Sequence, residues 1–197
     1  MSNEDVLLSR DCVKRIMRDV KTIYKNPLDD NGIFYKHDEN NILKGYAMII
    51  GPEKTPYENG FYFFKFDYSS EYPYKPPTVT FIKNPYYVRF HPNFYRNGKV
   101  CLSLLNTWRG EQWTSCQTIS TILLTITSVM NDYPLTNEPG ISKYHKDNQS
   151  FNSIIRYQNI NFSIIDIINN EFDEDFHVFK EIIKKKFKDN QNKIEDN

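Results

Sequence analysis

"GPEKTPYENGFYFFKFDYSSEYPYKPPTVTF", from Gly51 to Phe81, is the stretch that decides the fold of this 197-residue chain. Its apolar run from Phe61 to Tyr68 lies between two segments rich in turn-forming residues, the pattern of a strand bounded by turns. A second strand-like run follows from Val79 to Lys83. Because consecutive strands are joined here by a short connection, we expect them to pair antiparallel.

Two more strand-like runs precede this stretch, Ile33 to His37 and Leu43 to Ile50, with the turn-rich letters "DENN" between them. Before them, Ser9 to Tyr24 carries apolar residues at helical spacing, with Ser9 as a candidate N-cap and Asn26-Pro27 as a stop signal. The sequence therefore predicts an amphipathic first helix followed by a four-stranded antiparallel meander.

Three helical patterns follow the sheet. The first contains Ile119, Ile122 and Ile126 and ends at Tyr133-Pro134, and the other two cover Gln149 to Asn169 and Asp173 to Lys188. We therefore predict an α+β fold, divided into a core over 1–148, a helical extension over 149–188 and a flexible tail over 189–197. The extension carries too many apolar residues to stay in water, so we expect it to pack on the core. An exposed groove or a dimer surface is the alternative.

Composition limits the classes of partner. The chain has 25 Lys and Arg against 25 Asp and Glu, so no global charge favours nucleic acid or an anionic membrane. No apolar run approaches the ~20 residues that span a bilayer, and Met1 to Ser9 lacks the apolar centre of a signal peptide. The three cysteines are an odd number without framework spacing, which favours reduced thiols. We expect a soluble protein of the cytoplasm, with the nucleus as a second candidate compartment.

Cys101 follows a polar, turn-forming run and is the cysteine with several possible roles. A zinc site is disfavoured because the cysteines lack C-x-x-C spacing and the histidines are scattered. A protease-like group of Cys101 with His91 and Asn93 would need the three side chains to face one another across a cleft, although they share one loop. The remaining alternative is a small buried hydrophobe, which is the usual role of a free cysteine.

The run "HPNFYRNGKVCL", from His91 to Leu102, resembles the active-site signature of ubiquitin-conjugating enzymes, in which a His-Pro-Asn tripeptide precedes the catalytic cysteine by the same spacing. The resemblance extends to "VKRIMRDV" with "NP", to the Gly51–Phe81 meander and to Trp113 before the second long helix. It covers roughly residues 10 to 140. Finer features are similar to the branch called ubiquitin-conjugating enzyme Z. They are "FYRNGKVCLSLLNTW", the extra residues before Trp113, "NEPG" and the later helices.

This resemblance implies that Cys101 accepts ubiquitin or a similar modifier as a thioester from an activating enzyme and passes it to a substrate lysine. Acyl exchange between two sulfurs is nearly isoenergetic, so the first step mainly needs an accessible thiolate. ATP is consumed by the activating enzyme, and the chain has no nucleotide-binding motif. We expect no cofactor and no metal.

The family assigns roles to the residues around the cysteine. Asn93 is expected to stabilise the oxyanion that forms during amine attack or to hold the loop, and a plain turn residue is the alternative. His91 and Pro92 are expected to shape the turn. Glu138, in "TNEPG", is the candidate acidic residue that receives the incoming lysine, with Asn137 as the alternative at that position.

Partner surfaces are also implied. Lys14, Arg15 and Arg18 match basic positions that contact the activating enzyme, although a solvated helix face is the simpler interpretation. Tyr74 matches an aromatic residue that ligases contact, and Ser115 lies in the second ligase loop, where Thr-Ser-Cys replaces the common Ser-Pro-Ala. The expected partners are the modifier, the activating enzyme and protein substrates, with a ligase as a further candidate. The rivals are an inactive ubiquitin-binding variant and a ligand-binding scaffold of related topology.

Overall fold

The first helix forms as expected. The computed structural model describes residues 8–82 and 88–195, and its helix α1 covers Arg10–Lys25. The Ser9 side chain accepts a hydrogen bond of 3.1 Å from the backbone N–H of Cys12, which satisfies one of the free donors of the first turn. The buried side chains of α1 include Ile16, Val20 and Ile23, so the apolar stripe read from the sequence faces the core.

The sheet is a meander of four antiparallel strands in the order β1-β2-β3-β4. The strands are β1 Ile33–His37, β2 Lys44–Ile50, β3 Phe61–Asp67 and β4 Thr78–Phe81. Each lies within one or two residues of its predicted position, and the predicted end of the fourth run at Lys83 falls outside the described residues. The predicted α+β order of one helix, a meander and then helices is confirmed.

The two faces of the sheet are both covered. The register places Tyr35, Ala47 and Phe64 side by side, and these residues pack in the main core with α1 and with the helix Ile119–Val129, called α2. Alternate residues point the other way, so Phe34, Met48 and Phe63 form the opposite face. That face packs against the C-terminal helices through Phe176, Phe179 and Ile183, all of which are buried.

The helices after the sheet differ in detail from the prediction. Helix α2 covers Ile119–Val129 and is capped by Thr118, and Pro134–Asn137 forms a separate 3-10 turn beyond its end. Helix α3 covers Asp147–Gln158, continues as a π-helical stretch over Asn159–Ile165 and ends in the short helix α4, Asp166–Ile168. A 3-10 stretch, Glu174–Phe179, leads into α5, Lys180–Glu195.

The proposed boundaries after 148 and 188 do not coincide with helix ends. Helix α3 already begins at Asp147, and α5 continues to Glu195. The division into core, extension and tail therefore stays a prediction. Within the described ranges 8–82 and 88–195, no helix has both the length and the apolar character needed to cross a bilayer.

Candidate active site

Residues 91–101, called the cysteine loop below, fold back on themselves as a narrow hairpin. The backbone N–H of Cys101 donates to Asn93 O at 2.9 Å, and that of Tyr95 donates to Lys99 O at 2.9 Å. Gly98 makes the turn possible because it has φ +91°, and a Cβ there would lie 2.9 Å from Phe81 O. The hairpin therefore places the predicted nucleophile Cys101 directly opposite Asn93.

The Asn93 side chain completes this pairing. Its Nδ2 donates to Cys101 O at 2.6 Å, so the two residues exchange hydrogen bonds in both directions. Asn93 is buried, and its Oδ1 has no partner among the described residues. An amide nitrogen carries two N–H donors, and the Cys101 carbonyl occupies one of them. Asn93 thus holds the backbone of Cys101 and keeps a second donor for another acceptor.

His91 holds the start of the loop and is fully buried. Its Nδ1 accepts from the backbone N–H of Asn93 at 2.9 Å, so the ring proton lies on Nε2, which donates to Val129 O at 2.9 Å. Burial, with a smaller contribution from the nearby charge of Arg89, lowers the pKa of His91 to about 3. Neutral His91 therefore ties the cysteine loop to the end of α2, as expected for a structural residue.

The hydrogen bonds of His91 argue against one of the alternatives for Cys101. Both ring nitrogens bind backbone groups, which leaves none to take a proton from the thiol, so a protease-like group of Cys101, His91 and Asn93 does not fit. Among residues 8–82 and 88–195 no three His, Cys, Asp or Glu side chains are grouped as metal ligands. Cys101 itself is only 3% exposed, whereas Cys116 is exposed. Thioester chemistry at Cys101 would require its thiol to become more accessible.

Glu138 is linked to the cysteine loop through Arg89. The Arg89 guanidinium donates to Glu138 Oε1 at 2.9 Å and to Pro92 O at 2.6 Å, which connects the candidate acidic residue to the His-Pro-Asn tripeptide. Asn137, the alternative at this position, donates to Pro134 O at 3.0 Å and its Nδ2 lies 3.5 Å from His91 Nε2. The structure thus brings both candidates to the same side of the loop.

Sequence analysis overlooked Arg89. Nothing in the local pattern indicates that Arg89 would contact both Pro92 and Glu138, which lies 49 positions after Arg89 in the chain. Its only signal was a positive charge two residues before His91, and the partner became identifiable only once the fold had placed Glu138 beside it.

The three basic residues predicted to contact an activating enzyme do not share one environment. Lys14 and Arg18 are exposed on α1, whereas Arg15 is buried. Arg15 Nε bonds both carboxylate oxygens of Asp19 at 3.0 Å, and its terminal nitrogens donate to the backbone carbonyls of Ser115 and Gln117. The prediction of Arg15 as a direct contact is therefore corrected: its guanidinium faces the interior and fixes the 115–117 loop.

The two predicted ligase loops lie next to each other. Tyr74 is 77% exposed, and Ser115 is exposed in the second loop. Trp113 Nε1 donates to Pro73 O at 2.7 Å, which fastens one loop to the other. Together with the bonds of Arg15 to the 115–117 loop, this bond connects α1 to both loops.

Comparison with known proteins gives a consistent result. A family model described as ubiquitin-conjugating enzyme matches residues 15–159. Ubiquitin-conjugating enzyme E2 Z of Danio rerio is 42% identical over 163 residues, which cover 81% of this chain and 49% of the relative. Ubiquitin-conjugating enzyme E2 Z of Homo sapiens is 42% identical over 160 residues, which cover 80% of this chain and 45% of the relative. A probable ubiquitin-conjugating enzyme protein 17 of Caenorhabditis elegans is 32% identical over 189 residues, 89% of this chain and 25% of the relative. The chain thus spans about half the length of the E2 Z relatives that it matches.

Proposed function

Because the chain belongs to the ubiquitin-conjugating enzyme family, we propose that it carries ubiquitin or a ubiquitin-like modifier as a thioester on Cys101 and transfers it to a substrate lysine. The observation that carries this proposal is the exchange of hydrogen bonds between Asn93 and Cys101. It fixes the backbone of the nucleophile while leaving one amide donor of Asn93 beside it.

In the first step the Cys101 thiolate attacks the carbonyl carbon of the thioester held by the activating enzyme. The new Sγ–C bond forms as the old S–C bond breaks, and the departing thiolate takes up the proton that Cys101 released. Since one thioester replaces another, the step needs access more than driving force. Because Cys101 is 3% exposed, a local opening must accompany loading.

In the second step a lysine amine attacks the carbonyl carbon of the Cys101 thioester, and negative charge develops on the thioester oxygen. The bond from that carbon to Cys101 Sγ then breaks, so the amide forms as the Cys101 thiolate leaves. The second N–H of Asn93 can donate to that oxygen while the first keeps its bond to Cys101 O. One such donor is typically worth about 10²-fold or more in rate. Holding the loop and stabilising the oxyanion are then compatible roles of one side chain.

The attacking lysine must lose a proton, and we assign its reception to Glu138. Arg89 contacts Oε1 of this carboxylate, which leaves Oε2 to accept from the incoming ammonium. Both partners of the ion pair are 36% exposed, so the carboxylate can be reached from solvent. Arg89 also bonds Pro92 O and thereby sets the position of Glu138 relative to the loop.

The proposal includes partner surfaces. Exposed Lys14 and Arg18 on α1 present positive charge to an activating enzyme, and exposed Tyr74 with Ser115 presents a contact for a ligase. We expect the chain to act in the cytoplasm or nucleus, where reducing conditions keep Cys101 as a thiol.

The test is incubation with activating enzymes, each modifier and ATP, followed by a non-reducing gel. Wild type and Cys116→Ala should form an adduct that excess thiol removes, and Cys101→Ala should form none. Cys116 is the matched control because it is the exposed cysteine. An adduct on Cys101→Ala that disappears with Cys116→Ala would contradict the assignment, and the absence of any adduct would favour the inactive ubiquitin-binding variant.

A further inference from the structure

Two arginines line one concave surface beside the cysteine loop. The cavity, called the arginine cavity below, measures about 510 Å³ and is lined by Arg89, Tyr95, Arg96 and Asn97. None of its lining side chains is acidic. Another cavity, between the sheet and the C-terminal helices, shares Asn97 with the arginine cavity. Three further cavities lie beside the 51–60 loop, beside α1 and among the C-terminal helices.

The arginine cavity is close to the predicted nucleophile. Within the hairpin, Tyr95 pairs with Lys99 while Asn93 pairs with Cys101. The turn that carries Arg96 is thus about three residue steps from Cys101, roughly 10 Å at the spacing of an extended chain. On the other side Arg89 bonds Pro92 O and reaches Glu138. A group bound in the cavity would therefore flank the site where a lysine reacts.

The groups that line the cavity are hydrogen-bond donors with unused capacity. Arg96 is exposed and, among the residues that the structure describes, makes no ion pair or hydrogen bond. Arg89 Nε is buried and likewise has no partner in the described ranges, although its terminal nitrogen is engaged. Asn97 Oδ1 accepts from the backbone N–H of Lys99, which leaves its NH₂ group as the available end.

The Tyr95 ring makes a cation–π contact with Arg89, whose guanidinium carbon lies 4.9 Å from the ring centre. This contact holds the planar guanidinium in one orientation. A guanidinium in a fixed orientation binds carboxylate or phosphate oxygens with less loss of conformational freedom than a mobile one. The chemistry that fits the arginine cavity is therefore that of an anionic oxygen group.

We propose that the arginine cavity binds an anionic side chain, carboxylate or phosphate, on the acceptor protein next to the lysine that is modified. This inference rests on the transferase function proposed above. The C-terminal carboxyl of the modifier loses its charge in the thioester, so it cannot be the anion. An extended acceptor segment advances about 3.3 Å per residue, which places the anionic residue about three positions from the lysine.

The experiment measures single-turnover discharge of the preloaded wild-type thioester to short peptides with one lysine. Four peptides are compared, which carry Glu, Gln, phosphoserine or Ser at the third position after the lysine. We expect the anionic peptides to react about twofold to fivefold faster than their neutral counterparts at low salt, the range of an exposed ion pair. That ratio should approach one at high ionic strength, where charges are screened. Comparison of the Glu and phosphoserine peptides identifies the preferred anion.

Arg96→Gln should abolish most of the preference, measured as the ratio of anionic to neutral rates. Arg156→Gln is the matched control, because Arg156 is an exposed arginine on α3 outside the cavity, and it should keep the wild-type ratio. Equal rates for anionic and neutral peptides in wild type, or a preference that survives Arg96→Gln, would overturn the proposal. Failure to load Cys101, or to discharge to any peptide, would instead contradict the proposed function.

Discussion

His91 lies at the centre of the hydrogen bonds that shape the cysteine loop. Its burial favours the neutral ring, and its two nitrogens bind Asn93 N–H and Val129 O. The resemblance to the family implied that His91 shapes the turn, and these two bonds are of the kind that such a role requires. The loss of Arg15 as a partner contact was not predictable, because its position on α1 fits a basic surface face equally well. Its burial depends on Ser115 and Gln117, which are 100 and 102 positions away.

The lowered pKa of His91 predicts acid sensitivity. The ring stays neutral in the folded protein down to a pKa of about 3, whereas an unperturbed histidine has a pKa of 6.5, so below pH 6.5 the unfolded chain binds more protons. Stability contributed by neutral His91 is full above pH 6.5 and is lost as pH falls from 6.5 toward 3. The loss amounts to at most about 5 kcal/mol.

Urea unfolding at several pH values checks this prediction. His91→Gln should unfold more easily at pH 7 but lose less stability than wild type on acidification. His145→Gln, at a partly exposed histidine outside the cysteine loop, serves as the matched control and should follow the wild-type pH dependence. An unchanged pH slope in His91→Gln would assign the acid sensitivity to other groups.

Some helices and strands could be predicted from the sequence, and others could not. Helix α1 and the four strands follow from local patterns, because a stripe or an alternation of apolar residues determines which face is buried. The π-helical stretch Asn159–Ile165 could not be predicted in this way. Its geometry is linked to Asn159, which is buried and bonds groups about 100 residues earlier in the chain.

Asn159 joins the C-terminal helices to the part of the sheet next to the cysteine loop. Its Oδ1 accepts from Tyr62 OH at 2.6 Å, and its Nδ2 donates to Glu58 O at 2.9 Å. The Tyr62 ring in turn contacts Phe90, with ring centres 5.5 Å apart. Phe90 directly precedes His91, so this contact connects the extension to the start of the loop.

Asn159→Ala should lower the free energy of unfolding by about 2 to 4 kcal/mol, because it removes the bonds to the buried Tyr62 hydroxyl and to the part-buried Glu58 O. Asn161→Ala is the matched control on the same helical stretch, since its side chain bonds only Tyr157 O. Thermal or urea unfolding measures the difference between the two variants. Equal losses would show that the Asn159 bonds add nothing beyond ordinary helix formation.

At the scale of the whole molecule, the sheet is the middle layer of three. Helices α1 and α2 cover one face, and the segment from Ile167 to Ile183 covers the other through an aromatic cluster that includes Phe63, Phe172 and Phe176. Apolar patterning predicted burial of the extension, which holds for Ile155, Phe176 and Phe179 but not for Ile154 and Ile165, which are exposed. This patterning has a further limit. It could not indicate which face of the sheet would receive it, because β2 and β3 carry apolar residues on both faces.

Truncation after Tyr144 should therefore expose the face formed by Phe34, Met48 and Phe63. Complete burial of one such side chain contributes about 1.5 to 3 kcal/mol, so the loss is comparable to the total stability of a domain. The truncated chain should melt at lower temperature or aggregate, whereas truncation after Lys188, which keeps Phe176, Phe179 and Ile183, should change the melting temperature little. Calorimetry and size-exclusion chromatography measure both effects. A soluble truncated chain with an unchanged melting temperature but an altered loading preference would contradict this prediction. Packing of the extension on the sheet would then contribute nothing to stability, and the extension would instead be a surface that selects the modifier or its activating enzyme.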